Sequence, residues 1–347
     1  MGCLERADEG MPFILVFAVA LVLSLTLTPL TQRLGEHYGF VALPGGRRRH
    51  VGAKSRLGGV ALFVAFMTAA VLAQFLPVER HDPKELTRLL GLLLGSTFIF
   101  LVGIYDDKKE LSPAPQIAAQ FIASLIAIHF LIFIEVVNNP FTNLQIWFPW
   151  FITVPFTIFW LMGMMNTVNW LDGLDGLAAG VAAILSAVLA FHMYREGQYS
   201  VALLPLALLG ATLGFLPYNF HPARVFMGSS GSFFLGFAVG ALGIIAGAKM
   251  ATVLLVMGIP ILDVAWRILD RFRLGRSPLV GDRGHLHFRL LDLGLSQRQI
   301  VILYYLFCSF FGLLALVISS RLYKFLALLV LGTMTLLVLL FVSRRKQ

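Results

Sequence analysis

The sequence has 347 residues, of which 58% are hydrophobic, 12% aromatic and 13% charged, with a formal net charge of +9. Its mean hydropathy is +0.84. A soluble domain is usually about a quarter charged, so this composition excludes an ordinary soluble protein. Apolar runs of about 17 to 25 residues recur along the whole chain, and each is long enough to cross the core of a bilayer. We therefore predict one all-α polytopic membrane domain that covers residues 1–347.

The apolar runs predict about eleven transmembrane helices. The chain has two cysteines, Cys3 and Cys308, and because Cys308 lies within one of the runs, the sequence predicts no disulfide framework. In chain order, the predicted spans are 12–32, 58–77, 87–105, 115–136, 149–165, 176–194, 200–218, 232–248, 250–268, 299–319 and 325–342.

The distribution of basic residues predicts the orientation of these helices. With the N-terminus outside, nineteen of the 27 Lys and Arg residues fall on the cytoplasmic side and eight on the outer side. Cytoplasmic loops carry an excess of Lys and Arg, so this orientation is the favoured one. It places every unusual polar cluster on the cytoplasmic face, whereas a transporter would bury ionisable groups near the membrane midplane. The clusters are 47–59, 105–112, 166–176, 221–232 and 271–299.

The first carboxylate cluster is YDDKKELS, residues 105–112, at the end of the third predicted span. Its adjacent carboxylates, Asp106 and Asp107, can supply a general base and a hard oxygen ligand for Mg²⁺, which favours carboxylates together with substrate phosphates. The alternative is a solvated helix end, in which Lys108 and Lys109 neutralise the two acids. The sequence alone leaves both interpretations open.

The second cluster is NTVNWLDGLDGLAAG, residues 166–180, between two apolar runs. Its polar groups, Asn166, Asn169, Asp172 and Asp175, are spaced three residues apart, so helical geometry places neighbouring members on one face. Helix capping explains one aspartate but not four polar groups within ten residues. The cluster therefore indicates a binding or catalytic segment.

Two later clusters are suited to phosphate and nucleobase binding. The small residues of GSSGS (228–232) leave backbone N–H groups free at a predicted helix N-terminus, although Ser and Gly also serve as structural caps. Phe226, just before them, can stack on a nucleobase or pack in the core. In HLHFR, His285, His287 and Arg289 alternate along the chain, and Arg binds phosphate through two parallel hydrogen bonds.

These clusters together indicate a divalent metal, phosphates, a nucleobase and a lipid interface. In order, and over nearly the whole chain, YDDKKELS, NTVNWLDGLDGLAAG, FMGSSGS and GHLHFRLLDLGLSQRQ resemble the signature segments of the polyprenyl-phosphate N-acetylhexosamine-1-phosphate transferases. The last segment looks more like the undecaprenyl-phosphate GlcNAc-1-phosphate transferase branch than the related phospho-MurNAc-pentapeptide translocase branch.

The resemblance implies a reaction, a cofactor and a location. A UDP-N-acetylhexosamine, with GlcNAc as the expected sugar, would react with undecaprenyl phosphate to give undecaprenyl-diphospho-HexNAc and UMP. Mg²⁺ would be the cofactor, with Mn²⁺ as an alternative. The protein would lie in the bacterial inner membrane among membrane lipids, with its active site facing the cytoplasm. We expect no nucleic-acid partner, and a homodimer is left open.

The resemblance also implies roles for individual residues. Asp106 and Asp107 would be catalytic, the first as a base or phosphate-orienting carboxylate and the second in support. Asn169 and Ser229 occupy the positions of metal ligands. The remaining positions would bind the substrate, with Phe226 on uracil and the basic residues on the diphosphate. These substrate-binding residues are Asn166, Asp172, Asp175, Phe226, His285, His287 and Arg289.

Ser229 departs from the family pattern, Phe-Met-Gly-Asp-Ser/Thr-Gly-Ser, whose Asp is an expected Mg²⁺ ligand. A hydroxyl is neutral and a weaker ligand for this metal than a carboxylate. Phe288 also replaces a histidine of the family, and Ala53 and Ser55 replace prolines. Two alternatives therefore stand beside an active transferase. One is a catalytically impaired member that binds nucleotide-sugar or lipid phosphate without efficient turnover, and the other is a lipid-sugar transporter.

The predicted topology is testable by cysteine accessibility. In a background without the two native cysteines, Lys109→Cys should resist a membrane-impermeant thiol reagent added outside intact cells, because the segment faces the cytoplasm. The matched control Lys84→Cys, in a predicted outer loop, should react. Strong outside labelling at Lys109→Cys would contradict the orientation and the placement of the site with it.

Overall fold

The computed structural model describes residues 2–42, 52–247, 249–275 and 284–344, which form thirteen α-helices and four short strands. The helices are α1 (Gly2–His37), α2 (Gly58–Leu72), α3 (Glu85–Lys109), α4 (Pro113–His129), α5 (Trp150–Leu171), α6 (Leu177–Arg195), α7 (Tyr199–Asn219), α8 (Gly228–Ile245), α9 (Met250–Val256), α10 (Gly258–Arg273), α11 (Leu286–Asp292), α12 (Gln297–Val317) and α13 (Arg321–Arg344). Two antiparallel pairs join β1 (Val41–Ala42) to β2 (Lys54–Ser55) and β3 (Val136–Asn138) to β4 (Gln145–Trp147).

Most of these helices can cross a membrane, which confirms the prediction of an all-α polytopic membrane protein. Within the described ranges, nine helices are long and apolar enough to span, and α9 with α10 forms a bent tenth candidate. The predicted span 115–136 corresponds to α4, whose seventeen residues extend about 26 Å, slightly less than the ~30 Å bilayer core. The number of spans and the orientation stay predictions. The nine straight candidates are α1, α2 with the 3₁₀ turn Ala73–Phe75, α3, α5, α6, α7, α8, α12 and α13.

Helix α8 is the centre of the bundle. Its most apolar window is 89% buried, against 22% for α1 and 28% for α13, which expose apolar side chains at the periphery. The α8 sequence GSSGSFFLGFAVGALGII mixes small residues with large aromatic ones. Small residues let neighbouring helix backbones approach closely, and packing rather than hydrophobic exclusion drives helix association in lipid. Helices α2, α3 and α5 pack directly against α8.

The predicted span 250–268 is not one straight helix. Helices α9 and α10 meet at an angle of 79° at Met257. Gly258 and Pro260 follow at once, and proline lacks the N–H that would continue the helical hydrogen bonding, so a break here has a local cause. Beyond the bend, α10 is amphipathic: Asp263, Arg267 and Arg271 lie four residues apart on one face, and all three are buried.

The first turn of α8 is in close contact with the end of α3. A Cβ atom on Gly103 of α3 would lie 2.4 Å from Cα of Ser230 and 2.9 Å from the backbone oxygen of Ser229. Backbone atoms cannot move aside as a flexible side chain can. Only glycine therefore allows this crossing, which brings the carboxyl end of α3 to the amino end of α8.

We expect Gly103→Ala to destabilise the protein by about 1–3 kcal/mol, the usual cost of overpacking a close contact. The matched control is Gly163→Ala in α5, where an added Cβ would meet nothing within 4 Å. That change should be neutral or stabilising by up to about 1 kcal/mol, because alanine favours helix more than glycine does. Thermal unfolding in detergent measures both. A melting temperature of Gly103→Ala at or above that of Gly163→Ala would contradict the contact.

Candidate active site

The carboxylate of Asp107, at the end of α3, is bound by the first turn of α8. Its Oδ1 accepts a hydrogen bond of 2.7 Å from the backbone N–H of Ser229. Its Oδ2 accepts two from Ser230, 3.0 Å from the backbone N–H and 2.7 Å from the hydroxyl. The amino end of a helix carries partial positive charge, which stabilises the anion. The free N–H groups that the sequence predicts as an anion site therefore bind an anion from within the chain.

Asp106, the adjacent carboxylate, has different partners. Its Oδ1 accepts hydrogen bonds from the backbone N–H of Leu111 at 2.8 Å and from Nε2 of Gln116 at 3.0 Å. Neighbouring residues on a helix point about 100° apart, since a turn holds 3.6 residues, so the two carboxylates have different neighbours. Asp106 stabilises the turn between α3 and α4, in which Glu110 adopts a left-handed conformation with φ of 50°.

Arg56 joins this end of α3 to the segment before α2, and sequence reasoning missed it. Its guanidinium donates to the backbone oxygen of Asp107 at 3.5 Å and to Oε1 of Glu110 at 2.9 Å. The Arg56 side chain is largely buried, so its charge is retained because Glu110 offsets it. Arg56 belongs to the basic segment 47–59, of which residues 47–51 lie outside the described part of the chain, as do 276–283 of the segment 271–299.

The amides of the second cluster connect α5 to its neighbours. Asn166 forms a paired amide contact with Gln120 of α4, with distances of 2.6 Å and 3.3 Å. Asn169, one turn later, donates from Nδ2 to the hydroxyl of Ser232 on α8 at 2.9 Å. Asn169 thus lies beside the α8 turn that binds Asp107, while Asn166 lies deeper, in the contact between α4 and α5.

Asp172, at the end of α5, is the one predicted carboxylate that accepts no hydrogen bond from any described residue. Burial raises the pKa of Asp172 well above its ordinary value, and the negative charges of Asp107 and Asp175 raise it further. Asp107 and Asp175 therefore lie close enough to Asp172 for their charges to act on it. An anion so placed requires a proton or a cation to offset its charge.

Asp175 holds the loop that follows α7. Its Oδ2 accepts a hydrogen bond of 2.9 Å from the backbone N–H of Ala223 and lies 3.0 Å from Nδ1 of His221. That loop carries Phe226, whose backbone N–H donates to the oxygen of Ser55 in β2. The Phe226 ring is half-buried, with the ammonium group of Lys54 5.3 Å from its centroid.

The basic residues predicted in HLHFR meet the buried face of α10. Nδ1 of His285 lies 2.9 Å from Oδ2 of Asp263. Arg289, in the middle of α11, has a guanidinium nitrogen 4.0 Å from Oδ2 of Asp270, which also pairs with Arg267. The sequence analysis did not identify these α10 residues, because the apolar residues around them predict a membrane-spanning helix. The signal available was the four-residue spacing of Asp263, Arg267 and Arg271.

His287 is the most enclosed of the predicted basic residues. It is 1% exposed, and neither ring nitrogen has a hydrogen-bond partner among the described residues. Burial lowers the pKa of His287 to about 3, against the opposing effect of the Asp263 charge, so the ring is neutral at physiological pH. Its Nε2 would lie 2.6 Å from a Cβ on Gly173, the residue after Asp172, so the ring packs directly on the loop between α5 and α6.

The structure thus brings most of the predicted residues to the loop between α5 and α6. Asp107, Asn169 and Ser229 lie on its α8 side. On the other side, the His285 ring lies 5.5 Å from that of Trp170 at the end of α5, and Arg271 lies 5.7 Å from the same indole. Asp106 and Asn166 are instead occupied by contacts between helices.

The donor atoms suit a magnesium ion better than a metal held by protein alone. Within the described residues, no three His, Cys, Asp or Glu side chains lie close enough to form a metal cage. Mg²⁺ is usually held by one or two carboxylates, with phosphates and waters completing the shell. Asp172 and Asp107 fit that requirement, since the Asp172 carboxylate has no hydrogen-bond partner in the described part of the chain and lies near a second carboxylate. The hydroxyl of Ser229, which bonds to no described residue, is a weaker donor at the same turn.

The family model for glycosyl transferase family 4 matches residues 89–247. Over 321 residues, the chain is 34% identical to a Bacillus subtilis (strain 168) protein named "Probable undecaprenyl-phosphate N-acetylglucosaminyl 1-phosphate transferase", covering 90% of this chain and 87% of that protein. It is 31% identical to a decaprenyl-phosphate N-acetylglucosaminephosphotransferase of Mycolicibacterium smegmatis, covering 87% and 82%.

A third relative is a phospho-N-acetylmuramoyl-pentapeptide-transferase of Bacillus velezensis, 30% identical over 84% of this chain and 92% of that protein. The matches to these three relatives cover 84% to 90% of this chain. The chain therefore belongs to glycosyl transferase family 4, the family of the polyprenyl-phosphate N-acetylhexosamine-1-phosphate transferases.

Proposed function

We propose that the protein transfers N-acetylglucosamine 1-phosphate from UDP-GlcNAc to undecaprenyl phosphate, giving the lipid diphosphate sugar and UMP. The site would face the cytoplasm at the inner membrane of a bacterium. The observation that carries the proposal is the carboxylate of Asp172, which lies near Asp107 and has no hydrogen-bond partner among the described residues, with buried basic residues across the same loop. The names of both relatives support N-acetylglucosamine as the sugar. The name of the Bacillus subtilis relative supports undecaprenyl phosphate as the lipid.

The chemistry requires charge neutralisation more than proton transfer. The nucleophile is a phosphate monoester, whose second pKa is about 6, so its oxygen is already ionised at neutral pH. The barrier is the approach of one anionic phosphate to another, and such reactions are accelerated chiefly by positioning and by offsetting charge. The two hydrogen bonds of Asp106 both reach Oδ1 and orient the turn after α3, so we assign Asp106 a positioning part.

The residues around the loop divide this work between them. Asp172, Asp107 and Asn169 would hold Mg²⁺, which would supply positive charge to offset that of the phosphates. Arg289 and His285, across the loop, would bind the diphosphate of the nucleotide-sugar. The half-buried Phe226 ring would stack on uracil. Asp175, through the backbone of Ala223, would hold that loop in place.

The neutral, enclosed His287 has a different part in this proposal. A ring that is uncharged and packed on Gly173 supplies shape rather than charge. It would fix the loop that carries Asp172 and exclude water from the side facing α11.

A transfer assay tests the proposal. Purified protein, undecaprenyl phosphate and a panel of radiolabelled UDP-sugars should give organic-soluble label and an equal amount of UMP only with UDP-GlcNAc and Mg²⁺. Asp172→Asn should lower the rate about a hundredfold or more, the scale of losing one group that offsets transition-state charge. The matched control Asp82→Asn, on the loop before α3 and far from the site, should keep the wild-type rate. Metal-independent transfer, or an active Asp172→Asn, would contradict the assignment.

A substitution at Ser229 distinguishes an active transferase from a catalytically impaired member of the family. Ser229→Asp should raise Mg²⁺ affinity and transfer rate together, because a formal charge attracts the ion far more strongly than a hydroxyl dipole does. The control Ser229→Asn places a side chain of the same shape as aspartate but without its charge, and it should raise neither Mg²⁺ affinity nor transfer rate. If wild type turns over rapidly and Ser229→Asp brings no gain, Ser229 is not a metal position, and the alternative of an impaired enzyme falls as well.

A further inference from the structure

The buried carboxylate of Asp263 stands apart from the residues that the proposed function uses. It lies on α10, six residues beyond the bend at Met257, and is 4% exposed. A charge in such surroundings is costly unless it is paired and hydrogen-bonded. Both of its oxygens are in fact occupied, and both partners come from the start of α11.

The two hydrogen bonds of Asp263 fix a side chain and the backbone beside it. Oδ2 lies 2.9 Å from Nδ1 of His285, and Oδ1 accepts the backbone N–H of Leu286 at 2.8 Å. An ionised carboxylate can only accept, so the shared proton belongs to Nδ1. Because Asp263 binds both Nδ1 of His285 and the backbone N–H of Leu286, it restricts the imidazole ring to one orientation.

The other ring nitrogen of His285 is left for a ligand. Nε2 forms no hydrogen bond with any described residue, although His285 is itself buried. The ring lies beside Trp170, two residues before Asp172, so it borders the same loop. When Nε2 also carries a proton, the ring is a cation whose charge Asp263 offsets, and that N–H can donate to a phosphate oxygen.

The geometry points to Asp263 as a positioning residue for the sugar-phosphate transfer, acting only through His285. It holds His285 with Nδ1 donating to the carboxylate, so that Nε2 contacts the diphosphate of the nucleotide-sugar. This inference rests on the proposed function for the identity of the ligand. The Asp263–His285 arrangement itself is independent of it and can be measured without turnover.

Asp263→Asn is the sharpest change, because it keeps the size of the side chain and alters one atom. An amide has a single acceptor oxygen, and the Leu286 N–H requires an acceptor, so the oxygen should stay there. The amide NH₂ then faces Nδ1 of His285, which must accept. The neutral ring is forced to carry its proton on Nε2, which reverses the tautomer and removes the charge-assisted contact.

We expect Asp263→Asn to lower the transfer rate about ten- to a hundredfold, the usual effect of losing the group that orients a functional histidine. In ¹⁵N spectra of histidine-labelled protein, with the His285 signals identified by their loss in His285→Gln, Nδ1 should change from protonated to unprotonated. Asp82→Asn is the control and should change neither the rate nor the spectrum. An unchanged rate, or an unchanged His285 spectrum, would overturn the inference.

A double variant separates positioning from general damage to the fold. If Asp263 acts through His285, then Asp263→Asn with His285→Gln should be no slower than His285→Gln alone, because effects through one contact do not add. Additive losses would overturn the inference. If wild type transfers none of the sugars tested, the proposed function fails, and the ¹⁵N spectra alone then decide whether Asp263 sets the His285 tautomer.

Discussion

The structure of the site depends on the carboxylate of Asp107 at the first turn of α8. Three hydrogen bonds from Ser229 and Ser230 reach its two oxygens, in a contact that Gly103 makes sterically feasible. The most enclosed helix of the bundle therefore begins against the end of α3. Arg56 adds a link from the segment before α2 to the same end of α3. Asn169, reaching Ser232 of α8, brings α5 to the same turn.

Around that turn, the carboxylates that have hydrogen-bond partners within the protein stabilise its structure, and a carboxylate without one is available to a ligand. In an apolar bundle, an isolated charge is costly, so buried ions are kept where partners offset them. Asp263 has His285 and the backbone of Leu286, Asp175 has His221 and Ala223, and Asp106 has its turn. Asp172 is the exception among the described site carboxylates, since its neighbours are other anions. In the proposed function, a metal ion bound to the diphosphate would offset the negative charge of Asp172.

The sequence predicted the helices well and the contacts between them poorly. The predicted spans 149–165 and 200–218 correspond to α5 and α7, because apolar length is a local property that one segment carries by itself. The span 250–268 is bent rather than straight, because the helix breaks at Met257. Its buried polar face was overlooked because its partner His285 is 22 residues away, beyond the reach of local periodicity.

By itself, the sequence determined the membrane class, the helical architecture, the family and the segments that meet at the site. Composition, run length and short motifs specify these, and each is contained within a few neighbouring residues. Only the tertiary structure decided which of two adjacent aspartates is held by α8, that Asn166 pairs with Gln120, and that His287 is neutral. These outcomes depend on which side chains distant helices bring within about 3 Å, the range of a hydrogen bond, and on how far each is removed from water.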